Sequence, residues 1–215
     1  ISFSGVHSIA AGNFEDLPEI LSNFNNNDLL CVRPSSESLD WGGPSAIMNI
    51  GMNNLRYEEL KQRLGADAAS SIYINFVQAY SLHVARLDPD IFNPVETQNS
   101  AALAKVLEIY ENETEHEFPQ DITKQLSEIL RSMARTWEST TARLLRQAKG
   151  APLDAGLGLV IQVMAFGLGE GECGTGTLQL IDENDGKPKI KGRYQEQSQI
   201  RPEKSSEGAL YLTKD

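Results

Sequence analysis

The spacing of hydrophobic residues changes along this chain and predicts regions of different structure. An apolar run at residues 29–32 is typical of a short buried strand, and a polar loop follows it at residues 34–53. Helical spacing then dominates up to residue 147. Three helices are predicted from it directly, at residues 57–64, 101–111 and 122–147.

A fourth helix is predicted between the first two. Its apolar positions follow helical spacing and are Ile72, Phe76, Val77 and Tyr80. Asp67 or Ser70 could cap its start, because short polar side chains accept hydrogen bonds from the free amides of a first turn.

After residue 156 the pattern becomes that of strands and turns. An apolar run at residues 158–166 predicts a strand, residues 167–176 contain five glycines, and residues 177–181 alternate. Residues 184–187 are typical of a hairpin turn, and residues 188–194 of its return strand. The residues after 200 predict a polar, loosely ordered tail.

These elements predict an α+β fold in which helices pack with short mixed or antiparallel sheets. We divide it into an N-terminal segment (residues 1–28), a strand, loop and helical region (29–156), a β-rich region (157–200) and the tail (201–215).

Composition narrows the classes of function. The net charge of −11 argues against a general nucleic-acid role, which needs clustered basic residues. No apolar run approaches the ~20 residues of a membrane helix. The cysteines, Cys31 and Cys173, form no disulfide framework, so we expect a cytoplasmic protein. Because the chain begins with Ile1, we expect a fragment, a processed chain or a trimmed one.

Arg33 is the strongest candidate for a functional residue. It follows the first strand and leads into a loop rich in Gly and Ser, and a guanidinium offers a planar fork to phosphate oxygens. The alternative is a structural Arg that bonds a nearby carboxylate. The loop residues that could cradle phosphate with backbone amides are Ser35, Ser36, Gly42 and Gly43. A plain surface loop explains them too, and Glu37 and Asp40 would repel a phosphate.

The second glycine-rich stretch, residues 167–176, also has the composition of a phosphate loop. It contains no base and carries Glu170 and Glu172, and a connection between strands explains its glycines equally well. The three histidines have no metal-ligand spacing, so no metal-binding residue is predicted.

Several of these segments resemble one family. A strand ending in Val32-Arg33, a glycine loop ending in Asn49-x-Gly51-x-Asn53, and a later strand with Gln162, Met164 and Gly167 resemble the pyruvate phosphate dikinase and phosphoenolpyruvate synthase family. Further residues match the family in the same order and at the same spacing. They are Tyr73, Phe76, Gln78, Phe118, Pro119, Asp121, Gln125, Leu126, Arg135, Trp137, Arg146, Gly174, Thr175 and Gly176.

The resemblance implies the N-terminal ATP-binding domain of that family, an ATP-grasp fold that uses ATP and Mg²⁺ and passes a phosphoryl group to a histidine on another domain. Arg33 would contact the ATP phosphates. Gln162 and Met164 would line the adenine pocket, and Gly174, Thr175 and Gly176 would contribute to binding of the cofactor.

The sequence also departs from that family. Basic residues of the family are replaced by Glu37 and Ile181, a Glu is replaced by Arg193, and neither a phosphohistidine domain nor a pyruvate-binding domain is found in these residues. Two hypotheses therefore stay open. The chain is the ATP-binding piece of a dikinase-like phosphotransferase, or it is a catalytically inactive relative that binds a partner or senses a ligand. The oligomeric state is not predicted.

Overall fold

The structure is a computed structural model that describes residues 1–13, 17–95, 99–169, 171–182, 184–199 and 210–214. The chain forms two compact units, residues 1–164 and residues 165–215, and each is described here by itself.

The first unit is built on a three-stranded antiparallel sheet, which we call sheet A. Its strands are β1 (Leu30–Ser35), β2 (Ile47–Ile50) and β3 (Gly158–Val163), in the order β2-β1-β3. β1 is the strand predicted from the apolar run. The sequence analysis grouped β3 with the β-rich region, but β3 pairs with β1 along its whole length.

Seven helices accompany this sheet within the described residues. They are α1 (Phe3–Ala10), α2 (Leu17–Ser22), α3 (Asn54–Leu64), α4 (Ala66–Tyr80), α5 (Ser100–Thr114), α6 (Ile122–Glu138) and α7 (Thr140–Ala148). α4 packs against β2 and α6 contributes to the same core. α6 turns an apolar face inward, and its buried residues are Leu126, Ile129, Leu130, Met133 and Trp137.

An aromatic cluster fills the space between α4, α5 and the segment before α6. The centroids of neighbouring rings lie 5.2–6.3 Å apart, and the rings meet edge to face, which is a favoured geometry for aromatic pairs. Its members are Tyr73, Phe76, Tyr80, Tyr110 and Phe118.

The residues of the Asn-x-Gly-x-Asn segment each have a structural task. Asn49 and Gly51 adopt positive φ angles of 63° and 97° as the chain leaves β2. Asn53 caps α3 by accepting a hydrogen bond from the Arg56 amide at 2.9 Å. The fully buried Gln125 accepts a hydrogen bond from the Gly51 amide at 2.8 Å, and its Nε2 donates to the Met52 carbonyl at 2.9 Å.

Two helix predictions need correction. The single helix predicted at residues 122–147 is two helices, because Ser139 adopts an extended conformation (ψ 144°) and caps α7. α4 begins after Gly65 without a side-chain cap. Asp67 lies in its first turn, and the Ser70 hydroxyl donates to the Ala66 carbonyl inside the helix.

The second unit contains sheet B, formed by β4 (Gly174–Ile181), β5 (Pro188–Glu196) and β6 (Leu210–Lys214) in that order. The hairpin predicted at residues 184–187 is present, since the chain turns between β4 and β5. Residues 210–214 form a strand where the sequence analysis expected a loose tail. The remaining tail residues, 201–209 and 215, lie outside the described residues.

Neither Cys31, which is buried, nor Cys173, which is half-buried, forms a disulfide bond. None of the helices within the described ranges is long and apolar enough to cross a membrane.

Candidate functional site

Arg33 lies on β1 with its side chain exposed, directly opposite Val160 of β3. Among the described residues it has no hydrogen-bond or ion-pair partner. The structural alternative, an Arg that bonds a nearby carboxylate, is therefore not realised within this part of the chain. An exposed guanidinium on a rigid strand is free to bind an anion.

The register of sheet A places further predicted residues on the face that carries Arg33. Side chains alternate along a strand, so Cys31 and Ser35 share this face of β1. Cys31 lies opposite Gln162, and Arg33 lies opposite Val160. Arg33, Ser35 and Gln162, which are separated by up to 129 positions in the sequence, thus project from one face of the same sheet.

Met164 lies just beyond the end of β3 rather than within it. Its amide still donates a hydrogen bond to the Leu29 carbonyl at 2.8 Å, so the chain runs on beside β1 for one more residue. Met164 is half-buried, and Val160 is 46% exposed. The face therefore combines one cation and polar groups with accessible apolar surface, which suits a ligand with a charged end and an aromatic end.

Burial raises the pKa of the Cys31 thiol, and the positive charge of Arg33 acts in the opposite direction. Because desolvation is the larger effect, the thiol is kept neutral. Cys31 is thus a packing residue beside Arg33, and not a reactive nucleophile.

The loop after β1 is held by its own hydrogen bonds. The Ser36 hydroxyl donates to the Ser38 carbonyl at 2.8 Å, so it is engaged within the loop. Lys149 Nζ donates to the Asp40 carbonyl at 2.7 Å. Sequence reasoning missed Lys149, which brings a positive charge next to the acidic part of the loop from 109 positions away.

Gly42 and Gly43 both have positive φ angles, 73° and 149°, which favour glycine. A Cβ at Gly43 would make ordinary van der Waals contact with the Trp137 ring at 3.5 Å, so the positive φ, and not a lack of space, favours glycine here. The two glycines are thus explained by the backbone path of the loop. Their predicted role in phosphate binding stays a prediction.

Beyond Gly43 the loop borders a small groove of about 230 Å³, which also contacts Ser45, His83 and Arg86. Burial, reinforced by the charge of Arg86, lowers the pKa of His83. Sequence reasoning missed Arg86. Its guanidinium donates hydrogen bonds to the hydroxyls of Ser132 and Thr136, which are one helical turn apart on α6.

Gly174, Thr175 and Gly176 lie in β4, and not in a loop as the glycine-rich composition indicated. A Cβ at Gly174 would lie 2.4 Å from the Gln195 carbonyl oxygen, and one at Gly176 would lie 2.6 Å from the Arg193 carbonyl oxygen. These glycines are needed because β5 passes close to them. The Thr175 hydroxyl donates to the Ser198 carbonyl at 2.5 Å. Glu170, from the same stretch, lies outside the described residues.

Within the described ranges no group of three or more His, Cys, Asp or Glu side chains is placed to hold a metal ion. The carboxylates of Glu37 and Asp40 are exposed on the loop without a third acidic partner. These residues therefore do not fit an Mg²⁺ ion held by the protein alone.

Comparison with known proteins gives one consistent result. The chain is similar to pyruvate, phosphate dikinase of Clostridium symbiosum (25% identity over 185 residues, 77% of this chain and 21% of that protein). It is similar in the same way to the dikinase of Rickettsia conorii (24% identity, covering 82% of this chain and 22% of that protein) and to the chloroplastic dikinase of Flaveria pringlei (26% identity, 77% and 19%). No family model matches the chain.

The chain spans about a fifth of the length of these relatives. The similarity suggests a dikinase-like domain. The α+β class rests on the helices and sheets of the structure.

Proposed function

We propose that this chain is a nucleotide-binding domain of a dikinase-like phosphotransferase, and that ATP binds on the Arg33 face of sheet A. One observation carries the proposal. Arg33, Ser35 and Gln162 come from distant parts of the sequence and meet on one face, where the Arg33 charge has no partner among the described residues.

In this proposal the Arg33 guanidinium binds the phosphates of ATP through charge-assisted hydrogen bonds. Gln162 offers an amide donor and acceptor to the edge of the base, and Val160 and Met164 offer apolar contact to its ring. Catalysis would then consist of positioning and charge stabilisation. The γ-phosphoryl group would pass to a histidine on another domain, as the similarity to dikinases implies, so the chain would work as a kinase or transferase module.

The test is a calorimetric titration of the chain with ATP in the presence of Mg²⁺, using Arg33→Ala and a control, Arg143→Ala. Arg143 is exposed on α7, so the control removes one arginine without touching sheet A. Loss of a charge-assisted contact of ~1.5–3 kcal/mol should weaken ATP binding by about 10- to 100-fold in Arg33→Ala. The control should bind like the parent chain. No ATP binding by the parent at millimolar concentration, or equal binding by both variants, contradicts the proposal.

A non-catalytic role, in which the chain binds a partner or senses a ligand, is the second candidate. It is favoured by Glu37 and Asp40, whose exposed carboxylates lie in the loop where the resemblance expects an Arg and a Met. The double variant Glu37→Gln, Asp40→Asn separates the two. Tighter ATP binding by this variant supports a nucleotide site limited by repulsion, whereas ATP binding that is absent before and after the change supports the non-catalytic role.

A further inference from the structure

Another groove, which shares Arg86 with the small groove beside Gly43, lies on the first unit between α5, α6 and the π-helical turn Ser81–Ala85 that follows α4. Its volume is about 380 Å³, within the range of roughly 300–1,000 Å³ that is typical of small-molecule sites. The residues that matter for its chemistry are Val84, Arg86, Tyr110, Glu128, Arg131 and Arg135.

The groove is basic although the chain carries a net charge of −11. Three arginines line it against the single carboxylate of Glu128, which accepts a hydrogen bond from the Tyr80 hydroxyl. Arg131 and Arg135 are four residues apart on α6, so they lie on the same helix face. Like charges at this spacing repel each other, and a bound anion would attract both guanidinium groups and offset that repulsion.

Arg86 is held in place at the edge of the groove. It ends the π-helical turn in a left-handed conformation (φ 62°), which is unusual for a residue with a side chain. Its Nη2 donates to Ser132 Oγ at 3.1 Å and to Thr136 Oγ1 at 2.6 Å. These acceptors are neutral, so they orient the guanidinium and leave its charge available. Arg86 and Arg135 make no ion pair with a described residue.

We propose that this groove binds the phosphate group of a small phosphate monoester. A doubly charged tetrahedral anion can accept hydrogen bonds from several guanidinium groups at once, whereas a single carboxylate offers fewer acceptor positions. Val84 and the Tyr110 ring form an apolar wall against which the organic part of the ester packs. The site uses none of the residues of the Arg33 face, so it is independent of the proposed ATP site.

The test is a calorimetric titration of the chain with phenyl phosphate, which carries a dianionic phosphate and an aromatic ring. The variant is Arg135→Gln, and the matched control is Arg143→Gln, which removes the same charge from an exposed position on α7. Arg135→Gln should weaken binding by about 10- to 100-fold, the loss expected for one charge-assisted contact. Arg143→Gln should bind like the parent chain.

Because Arg135 is exposed, its replacement should leave the fold intact, and thermal unfolding gives a second readout. Phenyl phosphate should raise the Tm of the parent chain and of Arg143→Gln, but not that of Arg135→Gln. Arg33→Ala should keep phenyl phosphate binding, and that result separates this site from the ATP site whether or not ATP binds.

Three outcomes would overturn the proposal: no phenyl phosphate binding by the parent chain at millimolar concentration, equal weakening by the Arg135 and Arg143 variants, or loss of binding in Arg33→Ala. The second would indicate unspecific attraction to positive charge. The third would assign the phosphate to the Arg33 face.

Discussion

The guanidinium of Arg146 stacks on Trp137, with its central carbon 3.7 Å from the ring centre, and Arg146 Nη1 donates a hydrogen bond to the Trp137 carbonyl at 2.7 Å. Both residues are buried. The contact spans the break at Ser139, so it ties α7 to the end of α6. Arg146 is one of the positions that match the dikinase family in sequence, and in this structure its role is structural.

Replacing Arg146 by Ala should destabilise the first unit. The change removes a hydrogen bond from a charged group, worth about 1.5–3 kcal/mol, and a stacking contact worth about 1–2 kcal/mol. We expect the free energy of unfolding to fall by roughly 2–4 kcal/mol, because these terms overlap. Urea denaturation measures it.

Arg143→Ala is the control for this change, because Arg143 is exposed on the same helix. It should alter the free energy of unfolding by no more than about 0.5 kcal/mol. Equal effects of the two substitutions would show that the contact between Arg146 and Trp137 contributes nothing specific.

The backbone at Gly51 gives a second prediction, since it combines a positive φ with tight packing. Gly65 has a similar φ, 88° against 97°, but open space where a Cβ would lie. At Gly51 a Cβ would lie 3.0 Å from Ile122 Cδ1. Gly65→Ala should cost about 1–3 kcal/mol, because its backbone (φ 88°, ψ 162°) lies in a region that essentially only glycine adopts, and Gly51→Ala should cost about 1–3 kcal/mol more from crowding.

Thermal unfolding of the two variants checks this difference. Both positions have a similar positive φ, so a larger fall in Tm for Gly51→Ala than for Gly65→Ala reports the packing of Ile122 against the turn. Equal Tm values would mean that Ile122 moves aside without loss. The truncation Ile122→Val in the Gly51→Ala background should recover part of the stability if crowding is the cause.

The sequence predicts local structure well where one residue type has a strong physical effect. The apolar run before Arg33 became β1, Gly65 ends α3, and the turn at residues 184–187 joins two strands. The break at Ser139 could not be predicted from periodicity, because α6 and α7 both follow helical spacing and neither Gly nor Pro separates them. The only local signal was the short polar run Ser139-Thr140-Thr141, which can cap a helix.

The candidate site was less accessible to sequence reasoning. Gln162 entered through a resemblance, because the pairing of β1 with β3 joins residues too far apart for local patterns to predict. Arg86 gave no signal of its own, since a left-handed conformation is expected at Gly or Asn and not at Arg. The glycines at 174 and 176 suggested a phosphate loop by composition, but they serve the close approach of two strands.

The last prediction concerns alkaline pH and the buried hydroxyl of Tyr80. Burial raises the pKa of Tyr80 above its ordinary value of 10.0, and the hydrogen bond to the Glu128 carboxylate and its negative charge add to the effect. A raised pKa in the folded state means that the contribution of Tyr80 to stability is complete below pH 10 and is lost as the pH rises above it, because the unfolded chain releases its proton first.

The free energy of unfolding should therefore fall between pH 9 and pH 11 in the parent chain, and less steeply in Tyr80→Phe, which cannot ionise. Urea denaturation at several pH values measures the two slopes. Glu128→Gln keeps a hydrogen-bond acceptor but removes the charge, so its slope should lie between them. Identical slopes in the parent chain and Tyr80→Phe would show that folding does not raise the pKa of Tyr80.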